Sequence, residues 1–508
     1  MPARSIFMHE IVTTINSYVW SSALVFLCLG AGLFFSILTR FVQIRQIREM
    51  FRLLIQSKES SKGISTFQAL AVSLSGRVGT GNIAGVAAAI GFGGPGAVFW
   101  MWVVAFLGSS TAYVESALGQ IYKEVDNGQY RGGPAFYIEK ALGQKWYAWL
   151  FALTTVLATG FLLPGVQANA IGNAVDLAVG GGVLVDSPFG EVSRVKLLVG
   201  VAVVLFLGII IFGGVKRIAH FTQYVVPFMA LAYILSALVI LAMNISAVPD
   251  VFALILNDAF TPMAGFGAVI GWGVKRGIYS NEAGQGTGPH AASAAEVQHP
   301  AQQGLVQAFS VYVDTLLVCS ATAFMILITG AYHVTGVDGV TSGGMLMAGV
   351  DPNSPAFTQM AVESMVTGVG APFIAIALFF FAFTTLLAYY YIAETNVAYI
   401  KRTFNIPGLM LILKLGLMAT VFYGAIRTAS LAWGLGDIGV GLMAWLNIIG
   451  ILIIFLVSQP AIKALRDYEA QQAAGQEKYT FDPKALGIKN AAFWENRINK
   501  SSMEDQLK

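Results

Sequence analysis

Polar positions along this chain are rare and clustered, and the apolar runs between them are long and uniform. Runs near 18–39, 66–91, 96–121, 146–176, 196–212, 221–243, 262–282, 303–329, 367–396, 409–431 and 440–458 stand out. Most approach or exceed the roughly 20 residues a bilayer-crossing helix needs. They predict a polytopic all-α membrane protein with about eleven transmembrane helices. A membrane β-barrel would show alternating segments of about ten residues, whereas these runs are continuously apolar. Two of them are interrupted. Ser75-Gly-Arg-Val-Gly-Thr-Gly-Asn82 lies inside the second, and the glycine-rich stretch from Gly271 to Gly288 begins in the seventh. Glycine costs about 1 kcal/mol against alanine in a helix interior, and a central arginine at least ~2.5 kcal/mol on insertion scales. A chain tolerates both where a helix is deliberately opened, so that freed carbonyls and amides face a protein-lined cavity.

With the first run set aside, the other ten fall into two groups of five, 66–243 and 262–458, which must have opposite topology. The first member of each group is the interrupted one, with Arg77 beside one break and Lys275 and Arg276 beside the other. Paired interrupted helices at corresponding places in two inverted halves point to a secondary-transporter site at the bilayer midplane. The expected organisation is an N-terminal span and basic loop (1–62), a first five-helix repeat (63–243), a second (244–460) and a polar tail (461–508).

Composition agrees with this reading. Of 508 residues, 56% are hydrophobic and 11% charged, against a usual charged share of about 25%, and the mean hydropathy is +0.69. The net charge of +3 gives no footprint for nucleic acid. Lysine and arginine are biased in the loops. Arg40, Arg45, Arg48, Arg52, Lys58 and Lys62 follow the first run, and Lys216, Arg217, Lys401, Arg402 and the tail continue the pattern on the same side. The positive-inside rule then puts the N-terminus outside and the C-terminus in the cytoplasm of an inner, plasma-type membrane. The first run has no small-residue cleavage site behind it and is expected to be retained. Cys28 and Cys319 both sit in apolar runs, and five histidines show no metal-like spacing.

The chemistry is expected at the breaks. A half-helix N-terminus offers amides to a carboxylate, and the opposing C-terminus offers carbonyls to a hard cation such as sodium. Ser75, the Val78 carbonyl, Thr80 and Asn82 can supply such groups, and Thr384 and Thr385 can complete a shell. A threonine pair inside a membrane helix can equally serve its own backbone or a packing contact. Gln167 follows Pro164-Gly165 inside the fourth run, suiting either a substrate contact or helix–helix glue. Trp272 is a pocket wall or an apolar anchor. Glu115, Glu282, Asp314 and Glu394 lie in or near spans, where acids default to function; gate salt bridges to Arg77, Lys275 or Arg276 and proton relays are equally open as that function. Gly434-Leu-Gly-Asp437 spells an intramembrane aspartyl-protease pattern, but that chemistry needs a second carboxylate sharing a proton, and Asp437 is expected in a short outside turn.

Residues 93–108, Gly-Gly-Pro-Gly-Ala-Val-Phe-Trp-Met-Trp-Val-Val-Ala-Phe-Leu-Gly, resemble the signature of the alanine or glycine:cation symporter family, the sodium:alanine symporters. The stretches Ser75–Gly85, Arg131–Pro134 and Ser280–Gly286 resemble that family too. The resemblance implies a LeuT-type 5+5 inverted repeat behind one extra N-terminal span. It also implies symport of sodium, or protons in some members, with a small neutral amino acid such as alanine or glycine, with no enzyme activity and no cofactor. Carried over by motif, it makes Gly79, Thr80, Gly81, Asn82, Gln167, Gly271, Trp272, Thr385 and Tyr389 substrate-binding, and Ser75, Val78, Thr384 and Thr385 sodium ligands. One departure is Leu387-Ala-Tyr389, where the family usually has Leu-Gly-Trp. A smaller ring with a hydroxyl then lines the pocket. A sodium-independent facilitator or channel keeps the spans without a cation at the threonine pair.

Overall fold

The computed structural model describes residues 3–55, 63–188, 190–262, 265–335, 341–342, 344, 350–404 and 406–506. Lys58 and Lys62 of the expected basic loop fall outside them. The regular structure of the described residues is helical apart from three short two-stranded antiparallel sheets, Glu124–Asp126 with Gln129–Arg131, Leu184–Ser187 with Gly190–Ser193, and Val334–Thr335 with Thr341–Ser342. Seven helices are long and apolar enough to cross a membrane: Ala97–Ile121, Lys145–Ala178, Arg194–Ile211, Gly214–Met243, Pro300–Thr329, Gly370–Lys401 and Ala429–Ser458. An eighth span arises if Phe7–Val19 and Ser22–Leu38, bent by 41° at their junction, are taken together. The long connections that follow Met243 and Thr329 are not bare loops, since Val248–Phe260 and Ala356–Met365 form short helices in them.

The interrupted helices lie at the centre. Thr66–Arg77 starts from a reciprocal cap in which Ser65 Oγ accepts the Gln68 N–H (3.1 Å) and Gln68 Oε1 accepts the Ser65 N–H (3.0 Å). This satisfies two of the donors every helix start leaves unpaired. The helix stops at Val78 and resumes as a π-helical turn, Gly81–Gly85, running into Val86–Gly93. Gly81 allows a close approach, since a Cβ there would lie 3.1 Å from Ser280 Cα on the second interrupted helix, a tight contact.

That second helix corrects the sequence reading. Phe266–Asn281 is continuous, so Gly271 and Trp272 sit in unbroken helix, and the break lies at residues 282–287. There Glu282, Gly284 and Gly286 have φ of 57°, 84° and 80°, and the chain resumes as Gly288–Ala294. The earlier glycines do other work. A Cβ on Gly273 would lie 2.6 Å from Trp100 Cβ, and one on Gly277 2.5 Å from Val104 Cγ1, both on Ala97–Ile121. They let two helices pack closely, as small residues four apart do in membranes.

A second correction concerns Asp437. It is buried inside Ala429–Ser458 and not in a turn. The polar opening of this helix hid its first turns from an apolarity scan, and the charge is balanced by partners from another helix. The tail is folded as well. Pro460–Ala473 packs beneath the bundle; Tyr468 Oη donates to Glu49 Oε1 (2.5 Å), and His299 Nε2 contacts Asp467 Oδ2 (3.0 Å). Farther on, Trp494 is buried and donates to the Gln120 carbonyl (2.9 Å). At this end a short parallel bridge joins the two interrupted elements: Ile64 N–H donates to Ala294 O (3.1 Å) and Glu296 N–H to Ile64 O (3.0 Å).

Candidate functional site

The first break gathers side chains from four helices around its opened backbone. The Gly79 N–H donates to Asn82 Oδ1 (2.8 Å), and the Thr80 N–H donates to Gln167 Oε1 (3.0 Å). Gln167 reaches this point because Pro164 opens the helix Leu163–Ala178 directly after a π-helical turn, Ala158–Leu162. The Tyr279 ring lies beside the same break, its Cδ1 3.2 Å from where a Cβ on Gly81 would sit, and its hydroxyl is buried without a hydrogen-bond partner among the described residues. Thr385 Oγ1 donates to the Ser75 carbonyl (2.7 Å), one of the groups a helix end leaves free. Thr80 Oγ1 is buried without a hydrogen-bond partner among the described residues. Amides, carbonyls, a carboxamide and hydroxyls thus converge on one buried point with aromatic rings around it, the arrangement expected of a small-solute site.

Of the residues singled out in the sequence, Ser75, Val78, Gly79, Thr80, Gly81, Asn82, Gln167, Thr385 and Tyr389 belong to or flank this cluster. Val78 closes the first half-helix, its N–H donating to Leu74 O (2.7 Å). Thr384 is buried but its hydroxyl serves its own helix, at Phe380 O (2.9 Å) and Phe381 O (3.0 Å), beside Met229 Sδ (3.8 Å). Gly271 faces open space. Trp272 stacks on Phe92 with ring centroids 4.7 Å apart, away from the opened backbone.

Trp272 belongs instead to a closed contact at one end of the site. Lys275 Nζ lies 2.7 Å from Asp437 Oδ2, while Arg276 bonds both oxygens, at 2.8 and 3.3 Å. The guanidinium sits over Trp433 (4.2 Å) and beside Trp272 (5.0 Å), and Trp433 packs on Tyr279. Trp20 holds the Asp437 carbonyl (2.8 Å), and Trp433 donates to the Asn353 carbonyl (2.8 Å). Asp437 is therefore committed to two cations, which leaves no carboxyl dyad of the kind a protease requires. Beyond this contact an open cleft of about 350 Å³ is lined by Asn173, Lys196, Asp351 and Arg427. Glu394 pairs with Arg131 (3.4 Å). Glu115 caps the second break, accepting from the Gly286 N–H (3.1 Å) and from Asn447 Nδ2 (2.7 Å).

The sequence reading missed the partners of the buried acids. Ser280, Thr315 and Cys319 surround Asp314, and Asp437 is the acid that meets Lys275 and Arg276. Chain distance hides these pairings. Only the intramembrane location of Asp314 and the Ser280-Asn-Glu stretch pointed toward the first of them.

An all-helical membrane protein with opened helices meeting at a buried polar point belongs to the class of solute transporters, not of enzymes. Comparison with known proteins agrees. The sodium:alanine symporter family model matches residues 5–482, and the chain belongs to that family. The Bacillus subtilis protein YrbD is 56% identical over 97% of this chain and 99% of its own length. The sodium/proton-dependent alanine carrier protein of Bacillus sp. (strain PS3) is 49% identical over 88% of this chain and 97% of its own. The sodium/alanine symporter AgcS of Methanococcus maripaludis is 36% identical over 91% and 98%.

Proposed function

We propose that this chain imports a small neutral amino acid, alanine or glycine, by symport with sodium across an inner, plasma-type membrane. The observation that carries the reading is the first break, where freed amides and carbonyls are held by Asn82, Gln167 and Thr385. A zwitterion's carboxylate would take the place of Gln167 Oε1 at the Thr80 amide. Sodium would take the Ser75 and Val78 carbonyls with the Thr385 hydroxyl, Thr384 joining after a rotation of its side chain. Tyr389 and Tyr279 would wall the small side chain. Two relatives named for alanine and sodium or protons support the same chemistry.

The architecture that fits is eleven spans, with two inverted five-helix repeats over 63–243 and 244–460 behind the N-terminal span, and the tail in the cytoplasm. Alternating access rocks the core helices about the breaks, opening the Lys275–Arg276–Asp437 contact on one side. One sodium entering down 100 mV supplies about 2.3 kcal/mol, enough for roughly fifty-fold accumulation at 1.4 kcal/mol per tenfold. The test is uptake of alanine and glycine into proteoliposomes under imposed sodium, potassium or proton gradients. Accumulation driven by sodium alone supports the reading. Equilibration without accumulation makes the protein a facilitator, and accumulation driven only by protons replaces the ion.

A further inference from the structure

The end of the molecule where Ile64 meets the second opened helix is held by the tail. Ile64, just ahead of Thr66–Arg77, bonds Ala294 and Glu296, and Glu296 lies in the short connector 295–299 that leads from Gly288–Ala294 to Pro300–Val311. The tail grips this connector at three consecutive residues. Arg497 Nη1 donates to Val297 O (2.7 Å), the Tyr479 N–H donates to Gln298 Oε1 (3.0 Å), and His299 Nε2 lies 3.0 Å from Asp467 Oδ2.

Lys123 joins the tail to the bridge. It is fully buried just past the end of Ala97–Ile121, and its Nζ donates to Ala295 O (2.8 Å), a carbonyl that Gln120 Nε2 also reaches (2.9 Å). Three rings lie over the ammonium, Tyr130 at 4.4 Å, Phe493 at 4.5 Å and Trp494 at 5.6 Å. Two of the three belong to the tail. Trp494 also donates to Gln120 O (2.9 Å), one of the carbonyls a helix end leaves free. Aromatic faces hold a cation best where water is kept out. Once the tail rings leave, water competes with Ala295 O for the ammonium, and the connector loses an anchor.

Two small cavities mark a route past the bridge. One runs along both opened helices between their breaks and the bridge, lined by Ser73, Gly76, Glu282, Thr287, Ala291 and Tyr391. The other lies at the bridge itself, lined by Ile64, Gln129, Tyr130, Arg131, Ala294 and Tyr391. Tyr391 lines both, its Oη donating to His290 O (3.1 Å). A solute leaving the first break by this route passes only when Ile64 parts from Ala294 and Glu296. We propose that residues 460–497 strap this inner exit shut, and that undocking of Phe493 and Trp494 from Lys123 permits discharge of the amino acid on this side. The inference rests on the transport reading above, which supplies the solute that leaves.

The test is the rate at which Ala291→Cys, in the cavity behind the bridge, reacts with a water-soluble maleimide in the purified full-length protein. Cys28 and Cys319 are buried, and the unsubstituted chain gives their background. Adding Trp494→Ala is expected to raise the rate about tenfold, as local opening becomes easier. Ala323→Cys, buried toward the other end of the Pro300–Thr329 span, reports general loosening and is expected to keep its rate. An unchanged rate at Ala291→Cys, or equal acceleration at both positions, overturns the strap. If Trp494→Ala does not fold, Arg497→Ala decides. It removes the bond from an exposed side chain to Val297 O and is expected to raise the Ala291→Cys rate about threefold; an unchanged rate overturns the proposal. Alanine uptake by the unsubstituted chain is read alongside. No uptake overturns the transport reading and the exit with it, whereas uptake without acceleration overturns the strap alone.

Discussion

Asn82 and Gln167 each do at the first break what water would do for an opened backbone, supplying an acceptor to a stranded N–H. A group that satisfies a buried donor costs about 1–3 kcal/mol to remove, yet both lie far from the lipid-facing surface that decides insertion. Asn82→Ala and Gln167→Ala are therefore expected to abolish amino-acid uptake while the protein is still recovered, folded, from the membrane. Normal uptake by both variants would take them out of the site. Asp437→Asn tests a different contact, for it leaves Lys275 and Arg276 without their shared acid. Breaking a buried pair costs about 3–5 kcal/mol, so the unfolding temperature in detergent is expected to fall by several degrees; an unchanged midpoint would mean the contact is not closed in the resting protein. At this scale the sequence revealed the glycines, asparagine and glutamine because polar residues inside an apolar run are conspicuous. It could not reveal that Asp437 meets Arg276 across 161 positions, because pairing across the fold leaves no local pattern.

Helices and their breaks were legible to the extent that a break also disturbs composition. Gly79 and Gly81 lie next to Arg77, so the first interruption is marked twice. In the second, glycines run from Gly271 to Gly288, and nothing in the spacing separates those that pack from those that turn. Gly273 and Gly277 serve close approach to Ala97–Ile121, whereas Gly284 and Gly286 serve left-handed backbone. Substitution separates the two roles. Gly277→Val would drive new methyl groups into Val104 and is expected to destabilise the protein by about 1–3 kcal/mol, read as a lower unfolding midpoint. Gly271→Ala, facing open space in a helix, is expected to leave that midpoint unchanged or slightly raised, since alanine is the better helix former by about 1 kcal/mol. A fall at position 271 equal to that at 277 would mean that both glycines pack.

At the scale of the molecule, the apolar runs and the loop charges made a polytopic bundle readable from composition alone. The tail was read only as polar, because its few anchors, Tyr468, Tyr479, Phe481 and Trp494, are spread among charged residues. Those anchors bind it to the bundle. His299, at the N-cap of Pro300–Val311, joins it through Asp467. Burial holds the His299 imidazole below the usual histidine range, although the Asp467 contact works the other way. Once the tail undocks, the ring returns to a pKa of about 6.5. The undocked form therefore binds more protons between the two values, and docking weakens as pH falls below about 6.5. Hydrogen exchange in residues 460–494, corrected for its intrinsic pH dependence, is expected to be faster at pH 5.5 than at pH 8. His299→Gln should flatten that difference; a pH effect that survives the substitution would belong to another group.

The bridge through Ile64 has a mechanical consequence. It yokes the start of one opened helix to the end of the other by main-chain bonds, which ionic strength hardly touches, whereas the far end is latched by Lys275, Arg276 and Asp437. Under the proposed alternating access the molecule works like a pair of tongs with a welded joint and a magnetic clasp: side-chain charge, too buried for salt to screen much, governs how readily one mouth opens, while the other yields only when peptide groups let go.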